Sequence, residues 1–303
     1  METKQGLIVK SLGGFYYVDT GNEVIECRAR GVFRNEKISP CVGDHVELEM
    51  TDGGKGYVKA IGERKNHLLR PPLSNLDQLV LISSAAHPAP NLLVLDQMIA
   101  ICEKKNIEPA IIFTKSDLGD TTTLQELYEK AGFRSVSVCS NTGEGVEQVK
   151  ALLSGKISAF TGNSGVGKST LLNAIDPRLG LQTADISMKL GRGKHTTRHV
   201  ELFKLPEGGW VADTPGFSAM DYQRFEVILK DELENCFREF EEHLGQCRFT
   251  GCSHTAEKGC AIRQALEDGA IARSRYESYC AMYQEAKNIK EWELPNMKTD
   301  SKR

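Results

Sequence analysis

The first 68 residues consist of short apolar runs separated by turn residues. The runs are GLIVKSL, GFYYVDT, EVIECRAR, DHVELEM and GYVKAIG, and none has the period of a helix. Turn signals lie between them at Gly13-Gly14, Gly21-Asn22 and Asp52-Gly53-Gly54. A series of short strands joined by turns is typical of a small closed barrel. We therefore predict an oligonucleotide-binding (OB) type β-barrel, or a five-stranded relative, that either binds a ligand or only caps the structure.

Beyond residue 68 the hydrophobic pattern changes to strands that alternate with helices. The segment RKNHLLRPPLSN, which contains Pro71-Pro72, is typical of a linker at this change. The apolar strands are DQLVLISSA, EPAIIFT, SVSVCS and ISAFTG, and the helical stretches are LLVLDQMIAICEKKN, LQELYEKAG, VEQVKALLS and KSTLLNAID. The alternation predicts a mostly parallel α/β sheet with helices on both faces.

From Asp221 onward the chain is charged, has a helical period and contains one Cys/His cluster. We therefore predict a multidomain protein. Its parts are an OB-type barrel over residues 1–68, an α/β domain over 69–220 and an α-helical domain with this cluster over 221–303.

Composition and charge narrow the class of protein. The fractions of 40% hydrophobic and 26% charged residues are those of an ordinary soluble protein. The chain has neither the ~20-residue apolar stretch of a membrane helix nor the layout of a signal peptide at its start, so we expect a cytoplasmic protein without a membrane partner. The net charge is −3, and no segment has the basic excess of a dedicated nucleic-acid binder. Any contact with RNA must use local patches.

Residues 162–169 form a phosphate-binding loop. The sequence GNSGVGKS fits G-x-x-x-x-G-K-[ST] between a predicted strand and a predicted helix. Glycines let backbone amides surround the phosphates, and the start of the helix adds partial positive charge. We expect Lys168 to reach the β- and γ-phosphates and the Ser169 hydroxyl to bind Mg²⁺. The predicted phosphate-binding residues are Gly162, Asn163, Ser164, Gly165, Val166, Gly167, Lys168, Ser169 and Thr170.

The sequence DTPG, residues 213–216, follows the predicted strand GWVA. Asp213 at the end of a strand beside the phosphate loop is placed to hold Mg²⁺ through water, and the Gly216 amide can sense the γ-phosphate. After a phosphate loop, DTPG indicates a GTPase switch.

The sequence TKSD, residues 114–117, is typical of a loop that recognises guanine. The Asp117 carboxylate can accept two parallel hydrogen bonds from guanine, which adenine cannot supply together. The stem of Lys115 can lie over the ring. CSN, residues 139–141, ends another predicted strand, where a backbone amide could meet the guanine oxygen. The predicted guanine-binding residues are Thr114, Lys115, Ser116, Asp117, Cys139, Ser140 and Asn141.

These loops have an unusual order, because the guanine loop precedes the phosphate loop. Ligands bind at the carboxyl ends of parallel strands, so the site depends on which loops meet there and not on their order along the chain. The order therefore predicts a circularly permuted GTPase.

The stretches TKSDL, GNSGVGKSTLLNAI, LGRGKHTTRHVEL, ADTPGFS and CRFTGCSHTAEKGC closely resemble the ribosome small-subunit-dependent GTPase A (RsgA) family over nearly the whole chain. The resemblance implies an OB barrel, a permuted GTPase and a C-terminal zinc domain. It also implies a role in late maturation of the small (30S) ribosomal subunit with its 16S rRNA, and hydrolysis of GTP to GDP that this subunit stimulates.

Two positions depart from the usual GTPase pattern. Thr114 replaces an Asn whose amide braces neighbouring loops, and because threonine is shorter we expect modest nucleotide affinity. Phe217 stands where a water-orienting Gln is common, so another group must place the water or the intrinsic rate will be low. His195 in GKHTT matches the switch histidine of the family and is our candidate catalytic residue, with contact to RNA or solvent as the alternative. Either Thr196 or Thr197 completes the magnesium shell, and we favour a set of Ser169, Thr197 and Asp213.

The segment 189–204 concentrates basic side chains in a chain without overall basic excess. We hypothesise that it contacts rRNA phosphates and that docking orders His195; a solvated loop in the free protein is compatible with this. Its basic residues are Lys189, Arg192, Lys194, Arg198 and Lys204, against the single acid Glu201.

The cluster Cys247, Cys252, His254 and Cys260 has the spacing C-x₄-C-x-H-x₅-C. Three thiolates and one imidazole suit tetrahedral, structural zinc, with a redox pair as the alternative. The remaining six of the nine cysteines stand singly and are expected to be inert core residues, and His243 is not expected to be a ligand. On the following helix, four side chains form either a nucleic-acid face or part of the packed interior: Arg273, Arg275, Tyr276 and Tyr283.

Two other classes stay open from the sequence. One is a P-loop phosphotransferase acting on a small molecule, and the other is a non-enzymatic RNA-binding scaffold with a structural nucleotide. We expect a monomer.

Overall fold

A computed structural model describes residues 2–31, 33, 38–51, 53–181, 200–213 and 226–290, with only the backbone at Asp213. The N-terminal strands are β1 (Thr3–Leu12), β2 (Phe15–Asp19), β3 (Val24–Ala29), β4 (His45–Met50) and β5 (Gly56–Ile61). They pair in the order β1-β2-β3-β5-β4, and β4 pairs back to β1, which closes the barrel. The predicted OB-type barrel is therefore confirmed, and each strand lies within three residues of its predicted run.

The segment predicted as a linker is a packed hairpin. Strands β6 (His67–Leu68) and β7 (Leu73–Ser74) pair antiparallel, and Leu68 and Leu73 are fully buried. The reason lies in Asp44, a buried carboxylate in the barrel that needs partners. Arg64 donates to its two oxygens at 2.7 Å each, and the Ser74 hydroxyl donates to it at 2.6 Å. The hairpin therefore attaches the barrel to the next domain.

The central domain is a parallel sheet with one antiparallel edge strand. Its strands are β8 (Gln78–Ser84), β9 (Glu108–Thr114), β10 (Arg134–Val138), β11 (Ile157–Gly162), β12 (Glu201–Lys204) and β13 (Trp210–Asp213), in the order β10-β9-β8-β11-β13-β12. Only β12 runs antiparallel to its neighbour. The helices are α1 (Leu92–Lys104), α2 (Thr122–Lys130), α3 (Val146–Leu153) and α4 (Lys168–Ile175). The predicted alternation is confirmed.

Strand β12 also continues the sheet into the barrel. Lys10 of β1 is paired with Glu201 of β12, and the Lys10 ammonium lies 2.8 Å from the Glu201 carboxylate. The division at residues 68/69 and 220/221 stays a prediction, because the hairpin and this strand pairing link the first two parts closely.

The C-terminal part is less regular than predicted. It contains α5 (Lys230–Leu233), 3₁₀ turns at Glu234–Cys236 and Arg238–His243, α6 (Ala261–Glu267) and α7 (Arg273–Lys287). The single helix predicted after the Cys/His cluster is two helices, α6 and α7, and Gly269 between them has φ +74°. The rings of Phe237, Phe240 and Tyr279 pack together in its core at centroid distances of 4.9–5.3 Å. No helix in the described part of the chain is long and apolar enough to cross a membrane.

Arg275 of α7 follows the second of the two alternatives left open by the sequence, since it belongs to the packed interior and not to a nucleic-acid face. Its side chain is buried, and its guanidinium donates to Asp96 of α1 at 2.8 Å and to both oxygens of Glu239 at 2.7 and 3.1 Å. Asp96 also accepts from Tyr128 of α2 at 3.0 Å. We call Arg275, Asp96, Glu239 and Tyr128 the latch, because together they hold α7 against the central domain. Tyr276 and Tyr283 are half-buried. Of the four residues, Arg273 is the one that is exposed.

Candidate nucleotide and metal sites

The predicted phosphate loop connects β11 to α4. Strand β11 ends at Gly162, and α4 begins at Lys168. Gly165 and Gly167 have φ of +80° and +92°, a region that favours glycine. A Cβ on Gly162 would lie 2.7 Å from the Ile82 carbonyl oxygen, so the loop can pass this close to β8 only with glycine. The backbone thus has the curvature and the helix start that a phosphate site requires.

The guanine loop is tied directly to the phosphate loop. Strand β9 ends at Thr114, whose hydroxyl donates to the Val166 carbonyl oxygen. The next residue, Lys115, has φ +59°, and its ammonium donates to the carbonyl oxygens of Gly165, at 2.8 Å, and of His87. Two successive side chains of TKSD therefore hold the phosphate loop. Threonine still braces the loops despite its length, although its effect on nucleotide affinity stays a prediction.

The outer part of TKSD faces solvent beside strand β10. Asp117 is exposed, and the Ser116 amide donates to the Val138 carbonyl at 3.3 Å. The Cys139 amide donates to the Glu144 carbonyl at 3.0 Å. The Cys139 amide is therefore engaged within the chain, and a contact of Ser140 or Asn141 with the guanine oxygen stays a prediction.

Several predicted residues lie outside the described residues. Those are His195, Thr196, Thr197, Gly216, Phe217 and the basic residues Lys189, Arg192, Lys194 and Arg198. Asp213 is described in its backbone alone. It is the last residue of β13, and β13 pairs with β11, the strand that leads into the phosphate loop. Lys204, the last residue of the basic segment, is exposed, and its ammonium lies 5.4 Å from the centre of the Trp210 ring.

The four predicted metal ligands converge on one point. The ligand atoms of Cys247, Cys252, His254 and Cys260 all lie within 4.8 Å of one another. The His254 Nδ1 is 3.5 Å from the Cys247 Sγ and 3.4 Å from the Cys260 Sγ, and these two sulfurs are 3.9 Å apart. Tetrahedral zinc with Zn–S of ~2.3 Å and Zn–N of ~2.0–2.1 Å requires separations of about 3.6–3.8 Å. The donor set, and the distances among Cys247, His254 and Cys260, therefore fit zinc.

The sequence does not predict one residue that contacts this cluster, Glu234. The Glu234 carboxylate lies 2.9 Å from His254 Nε2. Because a carboxylate only accepts hydrogen bonds, the Nε2–H group is the donor of this hydrogen bond. Nδ1 is then the nitrogen free to bind a metal, in the arrangement by which carboxylates orient histidine ligands. Glu234 lies 20 residues before His254, and no spacing rule connects them. His243 is not among the clustered residues.

Helix α7 fixes the backbone of residues 247–260, which contain the four clustered residues and which we call the metal loop. The Tyr276 hydroxyl donates to the His254 carbonyl at 2.9 Å, and the Tyr279 hydroxyl donates to the Ser253 carbonyl at 3.0 Å. Arg275, which immediately precedes Tyr276 on this helix, belongs to the latch. The metal loop and the central domain are therefore attached to the same helix.

Comparison with protein families assigns most of the chain. Residues 5–58 match the family described as RsgA N-terminal domain, and residues 61–223 match the family described as RsgA GTPase. The chain belongs to the RsgA family. The family match agrees with the resemblance seen in the motifs. RsgA GTPases are GTP hydrolases.

Relatives of similar length support this assignment. The chain is 47% identical over 292 residues to the small ribosomal subunit biogenesis GTPase RsgA of Geobacillus sp. (strain WCH70), covering 94% of this chain and 98% of that protein. It is 45% identical over 290 residues to the protein of the same name from Caldanaerobacter subterraneus subsp. tengcongensis, covering 95% and 97%.

Two crystal structures share the fold. YjeQ from Thermotoga maritima has a TM-score of 0.80 and 34% identity, covering 95% of this chain and 100% of that one. YloQ, described as a circularly permuted GTPase, has a TM-score of 0.79 and 37% identity, covering 95% and 96%. The strand order explains the description, because β9 with the guanine loop precedes β11 in the chain, yet both end at the same edge of the sheet. The predicted permutation is confirmed.

Proposed function

We propose that this protein is a GTPase that binds the small (30S) ribosomal subunit and its 16S rRNA, acts in late maturation of that subunit, and hydrolyses GTP to GDP faster when bound to it. The names of the relatives support the subunit assignment. The observation that carries the nucleotide assignment is the bonding of Thr114 and Lys115 to the phosphate loop. It ties the guanine loop to the loop that would hold the phosphates of the same nucleotide.

In the proposed site each residue has a separate role. Asp117 accepts two hydrogen bonds from guanine, and Lys168 with the amides of the phosphate loop binds the phosphates. Ser169 and Asp213, together with Thr197, would hold Mg²⁺, which supplies charge neutralisation on the phosphates. His195 orients the attacking water, a task that Phe217 cannot perform.

In the C-terminal part, Cys247, Cys252, His254 and Cys260 hold one structural zinc ion. Four protein ligands leave no position for a substrate, so the ion would serve folding and not catalysis. Cytoplasmic location belongs to the same proposal, because the assembling subunit is the partner. A monomeric state is also part of the proposal.

Hydrolysis measured with purified small subunits, large subunits and whole ribosomes tests the partner. Small subunits should raise the rate of the wild-type protein, and His195→Ala should remove most of that increase. Stimulation by large subunits alone would overturn the partner assignment, and an unchanged stimulated rate in His195→Ala would remove the role of His195. Turnover that stays negligible with every particle would indicate a scaffold.

Substitution of Asp117 tests guanine recognition. Asp117→Asn replaces one acceptor by an amide donor, which clashes with the exocyclic amine of guanine but matches the oxygen at that position of xanthine. We expect affinity for GDP to fall by at least about 100-fold, since an unpaired polar group in such a site costs heavily. Xanthosine diphosphate should bind the variant better than GDP does. Equal GDP affinity in both proteins would show that Asp117 does not contact the base.

A further inference from the structure

An exposed aromatic side chain lies on the turn between the first two metal ligands. The turn consists of residues 248–251, and we call it the metal turn. Phe249 at its tip is 52% exposed. The other phenylalanines in the described part of the chain are buried or half-buried. Phe249 therefore adds little to the core, and folding alone does not account for it.

The metal turn is held in place at both ends. Cys247 precedes it and Cys252 follows it, and both belong to the metal cluster. The Arg248 amide donates to the Gly259 carbonyl at 2.9 Å, which fixes the turn against the far end of the metal loop. An aromatic ring presented on a fixed turn loses little conformational freedom when it binds a partner.

The surroundings of Phe249 favour a partner with a flat ring and a phosphate backbone. The Arg248 guanidinium lies 5.4 Å from the centre of the Phe249 ring, and Lys258 is exposed next to Gly259. The one acid of the loop, Glu257, is occupied by hydrogen bonds from Ser253 and Ala256 within the loop. One basic side chain, that of Arg248, therefore lies beside the exposed ring, and a second, Lys258, is exposed next to the residue that accepts the Arg248 amide.

Charge by itself does not make this surface a phosphate site. Glu241 and Glu242 are exposed on the 3₁₀ turn that precedes Cys247, and they offset the two basic residues. Attraction for a polyanion is therefore modest, and the ring must supply most of the contact. Stacking on an unpaired base is the contact that an exposed aromatic side chain makes with RNA.

We propose that Phe249 stacks on an unpaired base of RNA, with Arg248 and Lys258 contacting the adjacent phosphates. This inference rests on the proposed function, which supplies rRNA of the small subunit as the partner. Loss of one aromatic–base stack lowers affinity roughly 5- to 150-fold. The contact needs no change in the nucleotide site, so intrinsic GTP hydrolysis should not depend on Phe249.

The test is binding of the full-length protein, with a non-hydrolysable GTP analogue, to purified small subunits. Phe249→Ala should weaken binding by roughly 5- to 150-fold, Phe249→Tyr should bind like the wild type, and Phe249→Leu should resemble Phe249→Ala. Leu69→Ala is the control, because Leu69 is also exposed but lies far along the chain from the metal turn. Zinc content and intrinsic hydrolysis measured for each variant show that folding is retained.

The outcomes separate this inference from the function on which it rests. If the wild type does not bind small subunits, both are overturned. If the wild type binds and Phe249→Ala or Phe249→Leu binds equally well, only the stacking inference is overturned. A photoreactive phenylalanine analogue at position 249 should cross-link to rRNA; a cross-link to a ribosomal protein alone would assign the metal turn to a protein partner and overturn the inference.

Discussion

Replacing Arg275 by methionine tests whether the latch holds the C-terminal part to the central domain. Methionine keeps most of the volume and the apolar stem but removes the guanidinium. Asp96 and Glu239 would then both lose the cation with which they form ion pairs. The side chain of Asp96 is fully buried, and that of Glu239 is 6% exposed, so water cannot replace the lost partner.

The expected cost follows from this burial. Removing one partner of a buried ion pair leaves an uncompensated charge and costs about 3–5 kcal/mol. Arg275 also lies 4.6 Å from the centre of the Phe237 ring and 5.3 Å from that of Phe133, contacts that methionine partly retains. We therefore expect Arg275→Met to lower the free energy of unfolding by about 3–5 kcal/mol. Asp96→Asn keeps an acceptor oxygen for Arg275 and Tyr128 and should cost less.

Urea unfolding followed by circular dichroism measures this change. Hydrogen exchange in α1 and α7 shows whether the loss is located at their interface. Arg273→Met is the matched control, because Arg273 is exposed on the same helix and surface changes of this kind are usually within about 0.5 kcal/mol. If Arg275→Met costs no more than Arg273→Met, the latch does not stabilise the interface.

The pH dependence of the variant gives a second check. Burial is the main cause that raises the pKa of Asp96 above its ordinary value, and the charge of Arg275 opposes it. Without Arg275 the pKa of Asp96 should rise further in the folded state. A carboxyl group with a raised folded pKa favours folding at acidic pH, and this contribution is lost as pH rises through the folded pKa. The deficit of Arg275→Met should therefore be largest at neutral pH and shrink on acidification.

Two further predictions concern the sites. Glu234→Ala should weaken zinc binding about 10- to 100-fold, because His254 loses the carboxylate that orients it. Competition with a chromophoric chelator measures the zinc affinity, and the control Glu241→Ala should leave that affinity unchanged. Equal zinc affinities of the two variants would show that Glu234 has no such role. Thr114→Val removes the donor to the buried carbonyl of Val166, at a cost of about 1–3 kcal/mol, and should weaken binding of fluorescent GDP. Thr161→Val is the control, since the hydroxyl of Thr161 is buried without a partner within the described residues. If the two variants lose GDP affinity equally, the hydrogen bond from Thr114 to the phosphate loop does not account for the loss.

The phosphate loop and the metal cluster could be predicted because their chemistry is local. Gly162, Gly167 and Lys168 specify a backbone curve and a helix start within eight residues. The Cys/His spacing likewise brings its ligand atoms together within a single loop. The alternation of strands and helices gave the sheet for the same reason, since each period depends on neighbouring residues.

Residues whose partners lie far along the chain could not be predicted in this way. Arg275 and Asp96 are 179 residues apart, and the sequence of α7 does not show that Arg275, and not Arg273, points inward. The composition of residues 64–75 predicts a linker, but the chain forms a packed hairpin there, because the buried Asp44, 20 residues earlier than Arg64, needs Arg64 and Ser74 as partners.

The sequence by itself determined the motifs, the order of the loops and which residues are the candidates for binding guanine, phosphate and metal. Only the tertiary structure decided that Thr114 and Lys115 hold the phosphate loop, that Glu234 orients His254, and that Arg275 is part of the interior. A local pattern fixes backbone conformation, whereas the direction and partner of a polar side chain depend on which distant surfaces pack against it and remove it from water.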